Sequence, residues 1–275
     1  MPHPTAELDG LVRLYPAAAG GSLRGCGLVW AHGGGFVQGD LDMPEADAVA
    51  RAFAARGAVI VSVDYRLVGD GSGRFPAGSD DILAAWSWTL AQAPRLGIDP
   101  ARLVIGGASA GGNLVTSAVL RMLGHAPAAS VDAHPAGVFL AYPTLLAVQP
   151  APDAALRAAL DADPEFDRFP PARVLSMYET YLDGPVTPDA SLTAIPGLAT
   201  PADVAGFPPT IVINDDVDEL RVSGELFAVT LRAAGVPVDL SIEAGTTHGH
   251  LNRPDQPGFE RTIARVAAWI EAQAG

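Results

Sequence analysis

The chain contains no lysine: all 17 of its basic residues are arginine. That absence excludes Schiff-base chemistry, a Ser–Lys dyad and a phosphate-binding loop ending in lysine. Cysteine is almost as scarce. Cys26 stands alone, so no internal disulfide can form, and its apolar setting, Cys-Gly-Leu-Val-Trp, marks it as a small buried hydrophobe rather than a nucleophile. No apolar run approaches the ~18–20 residues needed to span a membrane. The N-terminal Met-Pro-His-Pro-Thr-Ala-Glu lacks the basic and apolar regions of a secretory leader. With one reduced cysteine, these absences make the cytoplasm the expected compartment. Positive charge is also in deficit. The formal net charge is −14, and so acidic a surface repels phosphate backbones, which excludes nucleic acid as a partner. No membrane partner is expected, and a homodimer is allowed.

What is present reads as a soluble globular enzyme. The 275 residues are 49% hydrophobic, enough for a large core, and α/β chains of this length commonly form one unit. There is no internal repeat. Nearly continuous Val/Ile/Leu runs at 26–31, 58–63, 102–106, 136–141, 210–214 and 238–243 predict parallel strands buried on both faces, with 10–15 as an added edge strand. Helical patterns fall between them at 44–56, 80–92, 111–123, 219–234 and 256–273, with Gly57 and Gly235 as stops. The alternation implies a mostly parallel sheet flanked by helices. One stretch breaks it. About 65 residues separate Tyr142 from the strand at Thr210, rich in Pro, Ala and Asp, with a clear helix only at 171–182. A connection that long predicts a small cap, residues 144–207, over the sheet's C-terminal edge; an ordinary irregular crossover is the alternative.

Three clusters carry chemistry. The first is Gly107-Ala108-Ser109-Ala110-Gly111, between the strand ending at Gly106 and a helix starting near Gly112. A serine on so tight a strand-to-helix turn is lifted above the sheet, with the helix N-terminus beneath it to favour negative charge. A merely structural glycine-rich turn is the competing interpretation. The second is His32-Gly33-Gly34-Gly35-Phe36, directly after Leu28-Val29-Trp30-Ala31. Three glycines weaken structure, so bare backbone must be required there. Acyl transfer requires it, because backbone N–H groups must approach an oxyanion closely, each contributing ~10²–10³ in rate. The donors assigned are the N–H groups of Gly34, Gly35 and Ala110. His32 is expected to anchor the loop, and Phe36 is the aromatic expected to touch substrate. Trp30, Trp86, Trp88 and Tyr178 are expected in the core.

The third cluster supplies the base and its acid, which should follow in the order Ser, Asp, His. His3 is terminal, and His125 and His134 flank a Pro- and Ala-rich loop and are expected at the surface. Only His248 and His250, in Gly245-Thr-Thr-His-Gly-His, follow the last strand. His248 precedes Gly249, which suits a tight turn presenting its ring; His250 is expected to line the pocket. Asp215, Asp216 and Asp218 are all placed to orient the histidine, and spacing alone does not choose among them, since one can equally cap the next helix.

Together, His32-Gly-Gly-Gly-Phe36, Gly107-Ala-Ser-Ala-Gly-Gly112, Asp218-Glu-Leu-Arg221 and His248-Gly249 resemble the hormone-sensitive-lipase-like branch of the α/β-hydrolases, the bacterial family IV esterases. Asp64-Tyr-Arg-Leu67, Phe75-Pro-Ala77, Asp99-Pro-Ala-Arg102 and Gly206-Phe-Pro-Pro209 agree with it, so the resemblance runs from about residue 26 to the C-terminus. It implies an α/β-hydrolase fold with Asp218 as the acid. It also implies hydrolysis of short-chain carboxylic esters through a Ser109–His248–Asp218 triad and an acyl-enzyme, with no metal and no organic cofactor. An amidase or formamidase with the same triad, or a non-catalytic ligand-binding member, are the other possibilities of different substrate or class. Two positions depart from the family's usual residues: Ala108 stands for Asp, and His250 for Phe. Only 31 residues precede His32, fewer than in typical members, which implies a reduced cap and an open pocket.

Overall fold

Alternate side chains of a strand point to opposite faces, so a run that is apolar at every position must be buried on both sides. The computed structural model, which describes residues 3–126, 133–163 and 165–273, has eight strands, and the central ones meet this demand, whereas the strand at 238–247, expected to be buried on both faces, is half-exposed. The eight are β1 Thr5–Glu7, β2 Val12–Tyr15, β3 Gly27–Ala31, β4 Val59–Val63, β5 Leu103–Ala108, β6 Val138–Ala141, β7 Thr210–Val217 and β8 Val238–Thr247. They form one sheet in the order β1-β2-β4-β3-β5-β6-β7-β8. The β1–β2 and β2–β4 pairs are antiparallel, and the rest are parallel.

Among the described residues seven α-helices cover it: α1 Pro44–Ala55, α2 Ala77–Leu96, α3 Ala110–Leu120, α4 Ala154–Asp161, α5 Pro171–Leu182, α6 Arg221–Ala233 and α7 Pro257–Gln273. On one face Leu28, Trp30, Ile60, Val104, Phe139 and Ile211 pack against Phe53 of α1 and Ile263 of α7. On the other, Val29, Val61, Ile105, Leu140 and Val212 pack against Trp86 of α2, Leu114 of α3 and Phe227 of α6. Trp30, Trp86 and Tyr178 are buried, as expected, and Trp88 is half-buried. Among the described residues no helix is long and apolar enough to cross a membrane.

The six expected parallel strands all form, each starting within two residues of its expected position, and the edge strand at 12–15 is present. β7 and β8 run on past their expected ends, to Val217 and Thr247. β1 and α4 were not foreseen. α4 lies in the long connection between β6 and β7, which also holds α5 and a 3₁₀ turn at Pro196–Leu198. Residues 127–132, the greater part of the expected loop between His125 and His134, lie outside the described residues. His134 is exposed, but His125 is half-buried, with its Nε2 2.6 Å from the carbonyl oxygen of Asp203.

Candidate active site

The sharp turn between β5 and α3 holds Ser109 at φ 50°, ψ −117°, a conformation that few side-chain-bearing residues adopt. Neighbouring chain leaves no choice of residue around it. A β-carbon at Gly111 would lie 2.3 Å from the His32 carbonyl oxygen. The serine is pinned by its backbone: its N–H donates to Ala141 O at 2.9 Å, and its carbonyl accepts from Asn113 and Thr144, both at 3.2 Å. Ala110 opens α3, so its N–H has no acceptor within the helix.

The glycine loop leaves β3 beside this turn. Gly34 sits at φ +126°, and a β-carbon there would be 1.8 Å from Gln38 O. Its carbonyl accepts from Val37 at 3.2 Å and Gln38 at 3.1 Å, which curls the loop. His32 anchors it, as expected. Its Nδ1 donates to Gly33 O at 2.6 Å, and its ring stacks on Tyr65 with centroids 4.5 Å apart. Tyr65 in turn donates to His32 O at 2.8 Å.

Glu45, in the first turn of α1, was not singled out in the sequence, yet it ties the loop to the rest of the site. Its carboxylate is buried and accepts from the Gly33 N–H, from Tyr142 Oη at 2.6 Å and from Asn252 Nδ2 at 3.0 Å. Burial, and then the charges of Glu45 and Asp215, push the Tyr142 phenol well above its ordinary pKa, so it remains a donor.

β7 and β8 bring in the acid and the base. His248 Nε2 lies 3.0 Å from Ser109 Oγ, and His248 Nδ1 lies 2.7 Å from Asp218 Oδ2. A carboxylate only accepts, so Nδ1 carries the proton and Nε2 is free to accept from the serine. The other oxygen of Asp218 accepts from Leu220 N at 3.0 Å. Burial works to lower the His248 pKa, but the charge and hydrogen bond of Asp218, with Asp215 and Glu45 behind it, carry it above the ordinary histidine value.

Asp215 holds a different histidine. It accepts from His250 Nδ1 at 2.5 Å and from Gly249 N–H at 2.9 Å, while His250 Nε2 pairs with Thr262 Oγ1 at 2.8 Å. Asp216 does neither: it accepts from Gly245 N–H at 2.9 Å, at the surface. Asp215, Asp218 and His248 could offer a metal three ligand atoms within 4.8 Å. Every carboxylate oxygen there already accepts a hydrogen bond, so an ion would have to displace these contacts.

Two expectations about the pocket are corrected. Neither Phe36 nor His250 lines the cleft that opens over Ser109. Phe36 sits at φ 68°, and its ring turns into the core, stacked on Tyr181 at 4.1 Å and edge-on to Tyr178 at 5.7 Å. His250 is 1% exposed, held beneath the loop by Asp215. The cleft has a volume of about 780 Å³. Gly33, Gly34, Gly35, Ser109 and His248 form its base, and Phe169, Arg173, Met177 and Thr180, in α5 and the segment before it, face them. Phe169 meets the His248 ring edge-on at 4.4 Å. No local pattern marked these wall residues, because they meet the triad only through the fold.

The geometry agrees with what the chain resembles. Residues 28–252 match the family model described as alpha/beta hydrolase fold. The chain belongs to this family, in its hormone-sensitive-lipase-like branch. Carboxylesterase NlhH of Mycobacterium tuberculosis is 40% identical over 229 residues, 82% of this chain and 66% of the relative. Ethyl acetate hydrolase of Pseudomonas putida is 32% identical over 246 residues, 86% of this chain and 70% of the relative. The chain thus spans about two thirds of the length of the curated relatives it matches. Among solved structures, an esterase of Pyrobaculum calidifontis superposes with TM-score 0.78 at 28% identity, covering 99% of this chain and 84% of that one. An esterase from the bacterial hormone-sensitive lipase family does so with TM-score 0.78 at 27% identity and the same coverage.

Proposed function

We propose that the chain is a serine carboxylesterase that hydrolyses short-chain acyl esters through an acyl-enzyme. The observation that carries this is the continuous hydrogen-bonded line from Ser109 Oγ through His248 to Asp218 at the base of an open cleft. The relatives named above, a carboxylesterase and an ethyl acetate hydrolase, support the same reaction. Ser109 attacks the ester carbonyl as His248 Nε2 takes its proton. Asp218 holds the ring in that tautomer and stabilises the imidazolium. The N–H groups of Gly34, Gly35 and Ala110 receive the oxyanion, and their worth depends on being fixed before the charge develops. His248 then protonates the departing alcohol, and water cleaves the acyl-enzyme by the same route. No metal or organic cofactor enters these steps.

Residues 144–207 act as a reduced cap within a single 1–275 unit, with α5 as the element facing the triad. Arg173, Ser176 and Thr180 give the cleft wall a polar share. A methylene contributes ~0.8 kcal/mol only while it touches apolar surface, so acyl chains from acetyl to hexanoyl should suit it best. The protein is expected to act in the cytoplasm on small-molecule esters. Two measurements test this. A fluorophosphonate probe should label the chain once, and Ser109→Ala should abolish both label and turnover. On p-nitrophenyl esters from C2 to C16, with matched anilides, kcat/KM should peak at C6 or below and anilides should be poor. A maximum at C12 or longer refutes the short-chain assignment, and faster anilide cleavage would make the enzyme an amidase.

A further inference from the structure

Positive charge gathers at the mouth of an otherwise acidic molecule. Arg168, Arg173 and Arg253 all line the cleft over Ser109, in a chain of net charge −14. Arginines elsewhere are mostly committed to a carboxylate, as in Arg66–Asp81 at 2.9 Å and Arg121–Asp80 at 2.6 Å. Among the described residues these three have no acidic side chain at ion-pair distance.

Each nevertheless makes contacts on this wall. The guanidinium carbons of Arg168 and Arg173 lie 5.9 and 5.4 Å from the centroid of the Phe169 ring, the ring that meets His248. Arg173 also donates to Arg168 O at 3.0 Å. Arg253 donates to Thr247 Oγ1 at 2.9 Å and to His248 O at 3.4 Å. Each guanidinium has five N–H donors, so most remain unspent. Among the described residues the one acid that lines the cleft, Glu45, is buried and already accepts from Gly33, Tyr142 and Asn252. A concave wall bearing unpaired charge of one sign concentrates the opposite charge, and the planar guanidinium fork fits a carboxylate in particular.

We propose that the cleft takes esters carrying a free carboxylate, on the acyl or the alcohol side, and that Arg168, Arg173 and Arg253 select that group. This rests on the hydrolase assignment above.

The test compares isosteric pairs. For the acyl side, p-nitrophenyl hydrogen glutarate is set against p-nitrophenyl 5-methylhexanoate, in which an isopropyl group replaces the carboxylate. For the alcohol side, 4-acetoxybenzoate is set against 4-isopropylphenyl acetate. The readout is the anionic-to-neutral ratio of kcat/KM, from which any loss of folded protein cancels. In at least one pair the wild-type ratio should fall about threefold or more between about 20 mM and about 0.5 M NaCl, as screening predicts. In the same pair, Arg168→Gln/Arg173→Gln should lower the ratio by about fivefold at low salt. Arg24→Gln, at an arginine remote from the cleft, should leave the ratio unchanged. Neutral esters turned over with a ratio that neither salt nor the double variant alters, in either pair, would overturn the proposal and leave the hydrolase assignment standing. No turnover of any ester, with no label on Ser109, would overturn both.

Discussion

Tyr142 donates its phenol hydrogen to Glu45 Oε1 at 2.6 Å, joining the start of α1 to the end of β6 across 97 residues of chain. The other oxygen of the same carboxylate holds the Gly33 N–H. The glycine loop therefore owes its position to a side chain that touches none of the reacting atoms. Glu45→Gln keeps the shape but turns an amide NH₂ toward groups that are themselves donors. Steady-state kinetics should show kcat down by about 10²-fold, the scale of one misplaced oxyanion donor, with KM changed by less than about threefold.

Asp218 and Asp215 should separate by what each substitution damages. Asp218→Asn removes the group that fixes the His248 tautomer, and kcat should fall by up to ~10⁴ with folding little changed. Asp215→Asn leaves His250 and the Gly249 N–H poorly matched in a buried site. Its main cost should be stability, about 1–3 kcal/mol in chemical denaturation, with a kcat loss of about tenfold. Equal catalytic losses would mean that the two carboxylates act as one unit.

The pH–rate profile follows from His248. The base must be neutral to accept the serine proton, and its pKa lies above the ordinary value of 6.5. The acid limb of kcat/KM should therefore have its midpoint above 6.5 and level off under alkaline conditions. Asp218→Asn removes the leading cause of the rise, so the midpoint of its residual activity should move down.

A second titration concerns the connection between β6 and β7, where Asp167 meets Glu219. Glu219 Oε2 and Asp167 Oδ1 are buried, and neither has a donor partner among the described residues. Burial, and then the hydrogen bond that a protonated Glu219 can give Asp167, push Glu219 up to about 7 from 4.5. A carboxyl group whose pKa is higher folded than unfolded binds its proton more tightly in the native state. Its contribution is complete below the unfolded value and is lost as pH rises through the folded one. The melting temperature should decline from about pH 5 to about pH 8, and Glu219→Gln, with its permanent NH₂ donor, should flatten that slope.

The parallel strands were legible because burial on both faces demands nearly unbroken apolar runs, and Leu-Val-Trp-Ala of β3 is such a run. α4 escaped notice inside a stretch rich in Pro and Asp. Its signals were present nonetheless: Leu156 and Leu160 lie one turn apart, and Asp153 caps the helix by accepting from Leu156 N at 2.8 Å. β1 is three residues long with two exposed, too short for any period to show. At the site, glycines that only a turn requires and histidines after a last strand can be read locally. The direction of a side chain cannot. Phe36 follows the glycines directly, but its positive φ sends the ring inward to Tyr181. Glu45 reads as an ordinary acid in a first helical turn, and its three donors come from residues 12, 97 and 207 positions away.

The placement of β8 has a bearing on how the molecule fails. The strand is last in the sheet, pairs only with β7, and is half-exposed along most of its length. His248 follows directly on its end, whereas Ser109 follows the central strand β5. Edge strands open with less free energy than central ones. On warming, the outer strand can peel away and take the imidazole out of line while the interior of the sheet is intact. Inactivation should thus precede melting, and on cooling the two should recover in the reverse order.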